Sequence, residues 1–148
     1  MQTIHLFTIG FTQKSAERFF TVLKNAHVQR VLDVRLNNRS QLAGFSKAAD
    51  LEYFLRAIAG IEYRHVPELA PTQDLLDAYK KRKGSWSEYE ERFLDLLRSR
   101  AVEHSLDRSV FDMACLLCSE HQPEHCHRRL VAEYLQEKWG DIEIQHLV

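Results

Sequence analysis

The sequence has no long apolar run, no excess of charge of either sign, few prolines and glycines, and only three cysteines. Each scarcity excludes something. A membrane-spanning helix needs about 20 consecutive apolar residues, and no stretch approaches that, so no membrane partner is expected. Twenty Lys and Arg against 21 Asp and Glu leave a net charge of −1. No global field therefore draws the chain to nucleic acid or a lipid surface, and any such attraction has to be local. Three prolines and five glycines are too few for a flexible linker, and no internal repeat is visible. Together these argue for a single domain over residues 1–148. The opening residues Met1-Gln2-Thr3-Ile4-His5-Leu6-Phe7 carry no basic n-region and no small-residue cleavage site, which leads to the expectation of a cytoplasmic protein. In that compartment, three cysteines read as free thiols rather than as a disulfide framework.

What is present is an alternation of strand and helix patterns. Thr3 to Ile9 is a short apolar segment closed by Gly10, a first strand. Ser15 caps a helix whose Ala16, Phe19, Phe20 and Leu23 share one face. Val28 to Val34 is a β-branched second strand, so the first 34 residues read as a strand–helix–strand unit with a right-handed crossover. A polar loop over Leu36–Ser46 follows. Leu51, Phe54, Leu55 and Ile58 have helical spacing, with Gly60 as the stop. Ile61 to Val66 is a third strand. Leu75, Leu76 and Tyr79 begin a helix that runs into Lys80-Lys81-Arg82-Lys83-Gly84, and Ser87 with Glu90 has the pattern of a capping box. Val110 to Leu117 is apolar on both faces apart from Asp112, the signature of a central parallel strand covered on each side. A last helix carries Leu130, Val131, Tyr134 and Leu135, and Ile142 to Val148 closes the chain as a strand. The expected fold is α/β: one mostly parallel central sheet flanked by helices, Rossmann-like and three-layered.

The densest chemistry lies in Leu116-Leu117-Cys118-Ser119-Glu120-His121-Gln122-Pro123-Glu124-His125-Cys126-His127-Arg128-Arg129. An apolar strand ends at a cysteine, and after a polar loop a helix opens on Cys-His-Arg-Arg. Ligands of open parallel sheets bind outside the carboxyl ends of the strands. The second strand ends there too, in Asp33 and Arg35, two apart and so on one face. The helical arc of the last helix turns His127 toward the sheet, Arg128 toward the site margin and Arg129 toward solvent.

Thr8-Ile9-Gly10, Asp33-Val34-Arg35 with Arg39-Ser40 and Phe45, Gly60-Ile61-Glu62-Tyr63, Leu117-Cys118-x-Glu120 and Pro123-x-x-Cys126-His127-Arg128 together resemble the domain-of-unknown-function 488 family nearly end to end. Phe11 stands where members of that family usually carry Tyr or His, and Asn38 where Pro is common. The resemblance implies the fold and the location of the site; it brings no settled reaction. The Asp-Val-Arg strand and the strand ending in cysteine are also similar to rhodanese-like sulfurtransferases. However, Ser119-Glu120-His121 is acidic and polar where those proteins have an arginine-rich anion loop.

Three readings of the cluster stand side by side. In the first, a phosphate-bearing ligand, either a nucleotide or a nucleic acid, is held by Arg35, Arg128 and the helix N-terminus, with Arg39 and Ser40 as further contacts. Cys118 or Cys126 is then a thiol nucleophile, and Asp33 or Glu120 serves as general base or orients His127. This reading needs no cofactor. In the second, Cys118, Cys126 and His127 hold zinc, joined by Glu120, His121 or His125, although the spacing matches no standard structural-zinc pattern. In the third, the thiols are core residues and Asp33–Arg35 is an ion pair that ties the sheet edge. Cys115, inside the apolar strand, is read as core. Lys80 to Lys83 read as cations at a helix C-terminus rather than as a nucleic-acid track. His5, His27, His65, His104 and His146 read as surface or packing residues.

Overall fold

The structure, a computed structural model, describes residues 3–37, 47–119 and 123–148. The described elements follow in the order β1 (Ile4–Gly10), α1 (Ala16–Asn25), β2 (Arg30–Asp33), α2 (Ala48–Phe54), β3 (Glu62–His65), α3 (Gln73–Lys80), α4 (Trp86–Arg100), α5 (Val102–Ser105), β4 (Ala114–Cys118), α6 (His127–Trp139) and β5 (Ile142–His146). The strands form one sheet in the order β3-β2-β4-β1-β5, and every pairing is parallel. The chain is a single-sheet α/β domain, as its alternating patterns predict.

Side-chain alternation along the strands divides the interior in two. Leu6 of β1, Leu32 of β2 and Leu116 of β4 meet Phe93 of α4 and Leu130, Val131 and Leu135 of α6. On the opposite face Phe7, Ile9, Val31, Cys115 and Leu117 meet Phe19, Phe20 and Leu23 of α1 and Leu51 of α2. β4 is buried at all five positions. This explains why its sequence is continuously apolar rather than alternating.

The order of the strands fixes the site. The connection leaving β1 passes over β4 to reach β2, while the connection leaving β4 passes over β1 to reach β5. Adjacent strands whose crossovers depart in opposite directions leave a crevice at their carboxyl ends. Cys118, the last residue of β4, sits at that crevice beside Gly10.

Several element boundaries differ from the sequence pattern for local reasons. The expected strand from Val110 begins only at Ala114. Arg108–Phe111 is a 3₁₀ turn capped by Asp107, whose carboxylate accepts from Ser109 N–H at 3.0 Å. Asp112, odd within a strand, instead accepts from the backbone N–H of His5 at 3.0 Å. The capping box falls two residues earlier than Ser87/Glu90. Ser85 accepts from the Glu88 N–H at 3.1 Å and opens α4 at Trp86. The segment from Leu75 to Leu97 is divided between two helices, α3 and α4. Gly84 marks the break: its N–H reaches the Ala78 carbonyl at 3.0 Å, and a Cβ there would lie 2.8 Å from that oxygen. Gly60 ends the second helical segment in the left-handed region at φ +64°, where other residues are strained. Among the described residues no helix is long and apolar enough to cross a membrane.

Candidate functional site

A cleft of about 150 Å³ opens at the carboxyl edge of the sheet. Its floor is Cys118, Ser119, Cys126 and His127. One rim is Arg35 to Asn37, following β2, and the other is Tyr79, Lys80, Trp86 and Tyr89 from α3 and α4. The ends of β2 and β4 and the start of α6, remote in sequence, share this one concavity.

Cys118 and Cys126 are joined as a disulfide, while Cys115 is free and buried. The expectation of free thiols is corrected for two of the three. β4 delivers one sulfur to the crevice floor, and Cys126, at the N-cap of α6, delivers the other against it. Cys115 points into the opposite core, where burial pushes its thiol far above the ordinary range.

His127 is buried, and its Nε2 lies 2.7 Å from the Val34 carbonyl. A carbonyl only accepts, so the proton sits on Nε2, and Nδ1 presents a lone pair. Burial, reinforced by the neighbouring Arg128 charge, lowers the ring's pKa to about 4 against the opposing pull of the Val34 hydrogen bond. His127 is thus neutral at pH 7, and a ring nitrogen lies within 4.8 Å of both sulfurs. Cys118, Cys126 and His127 are the group among the described residues that could hold a metal ion, with both sulfurs as thiolates in place of the disulfide.

Arg128 is fully buried, where the helical arc puts it at the site margin. The difference follows from the short step between α6 and β1. Arg128 runs under the helix, its Nε donating to Thr8 Oγ1 at 3.2 Å and its Nη1 donating to Cys118 Sγ at 3.5 Å. Thr8 Oγ1 lies 2.6 Å from His146 Nδ1. Since Thr8 accepts from Arg128, its own hydroxyl proton goes to His146, whose pKa is held below the usual histidine range by burial and then by Arg128. Arg129 reaches outward to Glu90 and Glu133.

Asp33 and Arg35 form a buried ion pair. Arg35 Nε and Nη2 each donate to the carboxylate at 2.8 Å, the Arg35 backbone N–H adds a bond at 3.1 Å, and Tyr63 Oη–H donates at 2.6 Å. Four accepted hydrogen bonds tie the Asp33 carboxylate to the end of β2 and to β3. The Arg35 guanidinium also lies 5.3 Å from the Phe11 ring centroid, so the unusual residue at position 11 is a cation–π floor for that pair. Arg39, Ser40, Glu120 and His121 lie outside the described residues.

Sequence reasoning missed the aromatic wall. Trp86 stacks on His125, with centroids 5.1 Å apart, and on Tyr89 at 5.0 Å, and Tyr79 meets Trp86 edge-on at 5.5 Å. Tyr79 and Trp86 stand out in the sequence as the flanks of the basic run, but only the break at Gly84 folds them back onto each other. Thr8 and Tyr63 belong to the short motif blocks without any visible chemistry of their own. His65 and His146, read as bland, are hydrogen-bonded to the Arg35 carbonyl and to Thr8.

No curated protein and no solved structure matches the chain. One family model does, over residues 15–135, a span that takes in Asp33, Arg35, Tyr63 and the whole segment from Cys118 to Arg128. By that match, which extends over most of its length, the chain belongs to DUF488, a domain of unknown function.

Proposed function

We propose that this domain binds a phosphate-bearing ligand, a nucleotide or a nucleic acid, in the cleft above Cys118, and that Cys118 is its reactive thiol. One observation carries the reading: a fully buried guanidinium donates to Cys118 Sγ at the floor of a cleft that Lys80 and Arg35 line. A cation bonded to sulfur favours thiolate over thiol. With the proton of His127 fixed on Nε2, its Nδ1 keeps the lone pair of a ring whose nearer nitrogen lies within 4.8 Å of both sulfurs. Cys118 becomes nucleophilic once a dithiol reduces the Cys118–Cys126 bond, giving two thiols on the protein and a disulfide on the reductant.

The test uses reduced protein carrying Cys126→Ser, which leaves Cys118 as the one thiol at the cleft. Its alkylation rate, followed across pH by mass spectrometry, is expected to titrate well below the ordinary thiol value of about 8.5. A titration at that ordinary value overturns the reactive-thiol half. Millimolar AMP is expected to slow the alkylation, and the absence of any protection overturns the ligand half. A second reading has its own support in the convergence of Cys118, Cys126 and His127 within 4.8 Å. On that reading, reduced protein reconstituted with Zn²⁺ and then dialysed keeps one equivalent by elemental analysis. Retention of none removes it.

A further inference from the structure

We infer that the cleft selects its ligand by a planar base, which enters between the Trp86/His125 wall and the disulfide floor while its phosphate stays outside on Lys80. The inference rests on the phosphate-bearing reading of the same site and names the part of the ligand that reading leaves open. Three observations carry it. First, Tyr79, Trp86, Tyr89 and His125 all line the cleft, and Trp86 already carries a planar ring, that of His125, stacked at 5.1 Å with 29° between the planes. His125 is exposed and Trp86 half-buried, so this stack stands at the mouth rather than in the core. Stacking platforms of this kind take any base, because every base has a π-face.

Second, the size fits a part of a ligand and not the whole. Clefts that engulf a drug-sized molecule run to roughly 300–1,000 Å³. The cleft here, at about 150 Å³, takes one ring system and leaves sugar and phosphate at the rim. Third, the rim has the matching charge. Lys80, the first cation of the basic run, lines the cleft. A base against the aromatic wall and a phosphate on Lys80 are the two ends of one nucleotide unit.

Trp86 provides the readout. The other tryptophan, Trp139, packs on Phe111 and donates to the Glu103 carbonyl, away from the cleft. Trp139→Phe therefore leaves Trp86 as the one reporter of emission. Titrations of this variant with AMP, ribose 5-phosphate and a short oligo-dA are expected to quench Trp86 with the two base-bearing probes. Ribose 5-phosphate is expected to bind at least tenfold more weakly. Oligo-dA binding tighter than AMP and falling steeply with salt identifies a nucleic-acid strand as the source of the base, and equal affinities identify a free nucleotide; both support the inference. Equal binding of AMP and ribose 5-phosphate overturns it and leaves the phosphate reading standing. No binding of any probe overturns both. Trp86→Ala is expected to weaken AMP on the order of 10- to 100-fold, measured by equilibrium dialysis. Trp86→Phe, which keeps a ring and guards against a folding defect, is expected to stay within about threefold of the parent. A Trp86→Phe loss equal to that of Trp86→Ala counts against the stack.

Discussion

Arg35 and Arg128 are both buried, at 4% and 0% exposure, and both stand at the carboxyl edge of the sheet, yet they address different atoms. Arg35 faces Asp33 with two parallel hydrogen bonds, and Tyr63 adds a third group to the same carboxylate. Charge meets charge there, and the arrangement holds the end of β2 against β3. Arg128 gives one N–H to a hydroxyl and another to a sulfur. Its guanidinium is directed at the sulfur of Cys118 instead of at a carboxylate. The same side chain at the same depth thus meets a carboxylate in one place, as a rivet, and a hydroxyl and a sulfur in the other, where we propose that it acts as an electrostatic handle. The contacts decide which, and exposure does not.

The largest expected effect breaks the rivet. Asp33→Ala leaves the Arg35 guanidinium buried without its carboxylate. Removing one partner of a buried pair costs about 3–5 kcal/mol. Urea denaturation is the measurement, and a loss below about 1 kcal/mol would show that Arg35 is not an anchor.

A pH signature marks the other side. His127 has a folded pKa of about 4 against an ordinary 6.5. The unfolded chain therefore binds its proton first as the pH falls. The stability linked to His127 is complete above about pH 6.5 and is lost progressively toward pH 4, by a total on the order of 3 kcal/mol. Denaturation curves at pH 7 and pH 4.5 are expected to diverge more in the parent than in His127→Gln. An identical drop in both would assign the acid sensitivity elsewhere. Next in size, Tyr63→Phe removes one hydrogen bond to the Asp33 carboxylate, which is expected to cost about 1.5–3 kcal/mol. It is also expected to leave Cys118 alkylation unchanged, because the hydrogen bond it removes is to Asp33 and not to Cys118.

The fold was legible because its signals are periodic. The unbroken apolar run at Cys115-Leu116-Leu117, the capped face of Phe19, Phe20 and Leu23, and the left-handed stop at Gly60 each have one cheap interpretation. The site was legible only as a set of strand ends and a helix start. The depth of Arg128 was not, since a helical wheel gives the direction of a side chain but not the distance to the next layer. The disulfide was not, because nothing in the spacing of Cys118 and Cys126 says that the start of α6 meets the end of β4. The stack of Trp86 was hidden for a similar reason. Its partners come from α4 and from the loop before α6, and only the tight turn at Gly84 brings Tyr79 back to them.

Arg128→Lys tests the handle with the smallest expected energy and the most specific readout. Lysine keeps the positive charge but presents it as a compact ammonium on a flexible stem, without the planar fork that reaches Thr8 and Cys118 together. If Arg128 acts on the sulfur, the substitution in the reduced Cys126→Ser background raises the Cys118 thiol pKa by about one unit, an energy of about 1.4 kcal/mol. Alkylation at neutral pH then slows by about tenfold. If Arg128 is instead a rivet like Arg35, the melting curve moves and the pH profile of alkylation does not. Thr8→Val separates the two further. It keeps the charge in place, removes the hydroxyl that accepts from Arg128 Nε, and breaks the link to His146. A shift of the Cys118 profile in the same direction as Arg128→Lys, but smaller, would show that the sulfur responds to where the guanidinium points as well as to its presence.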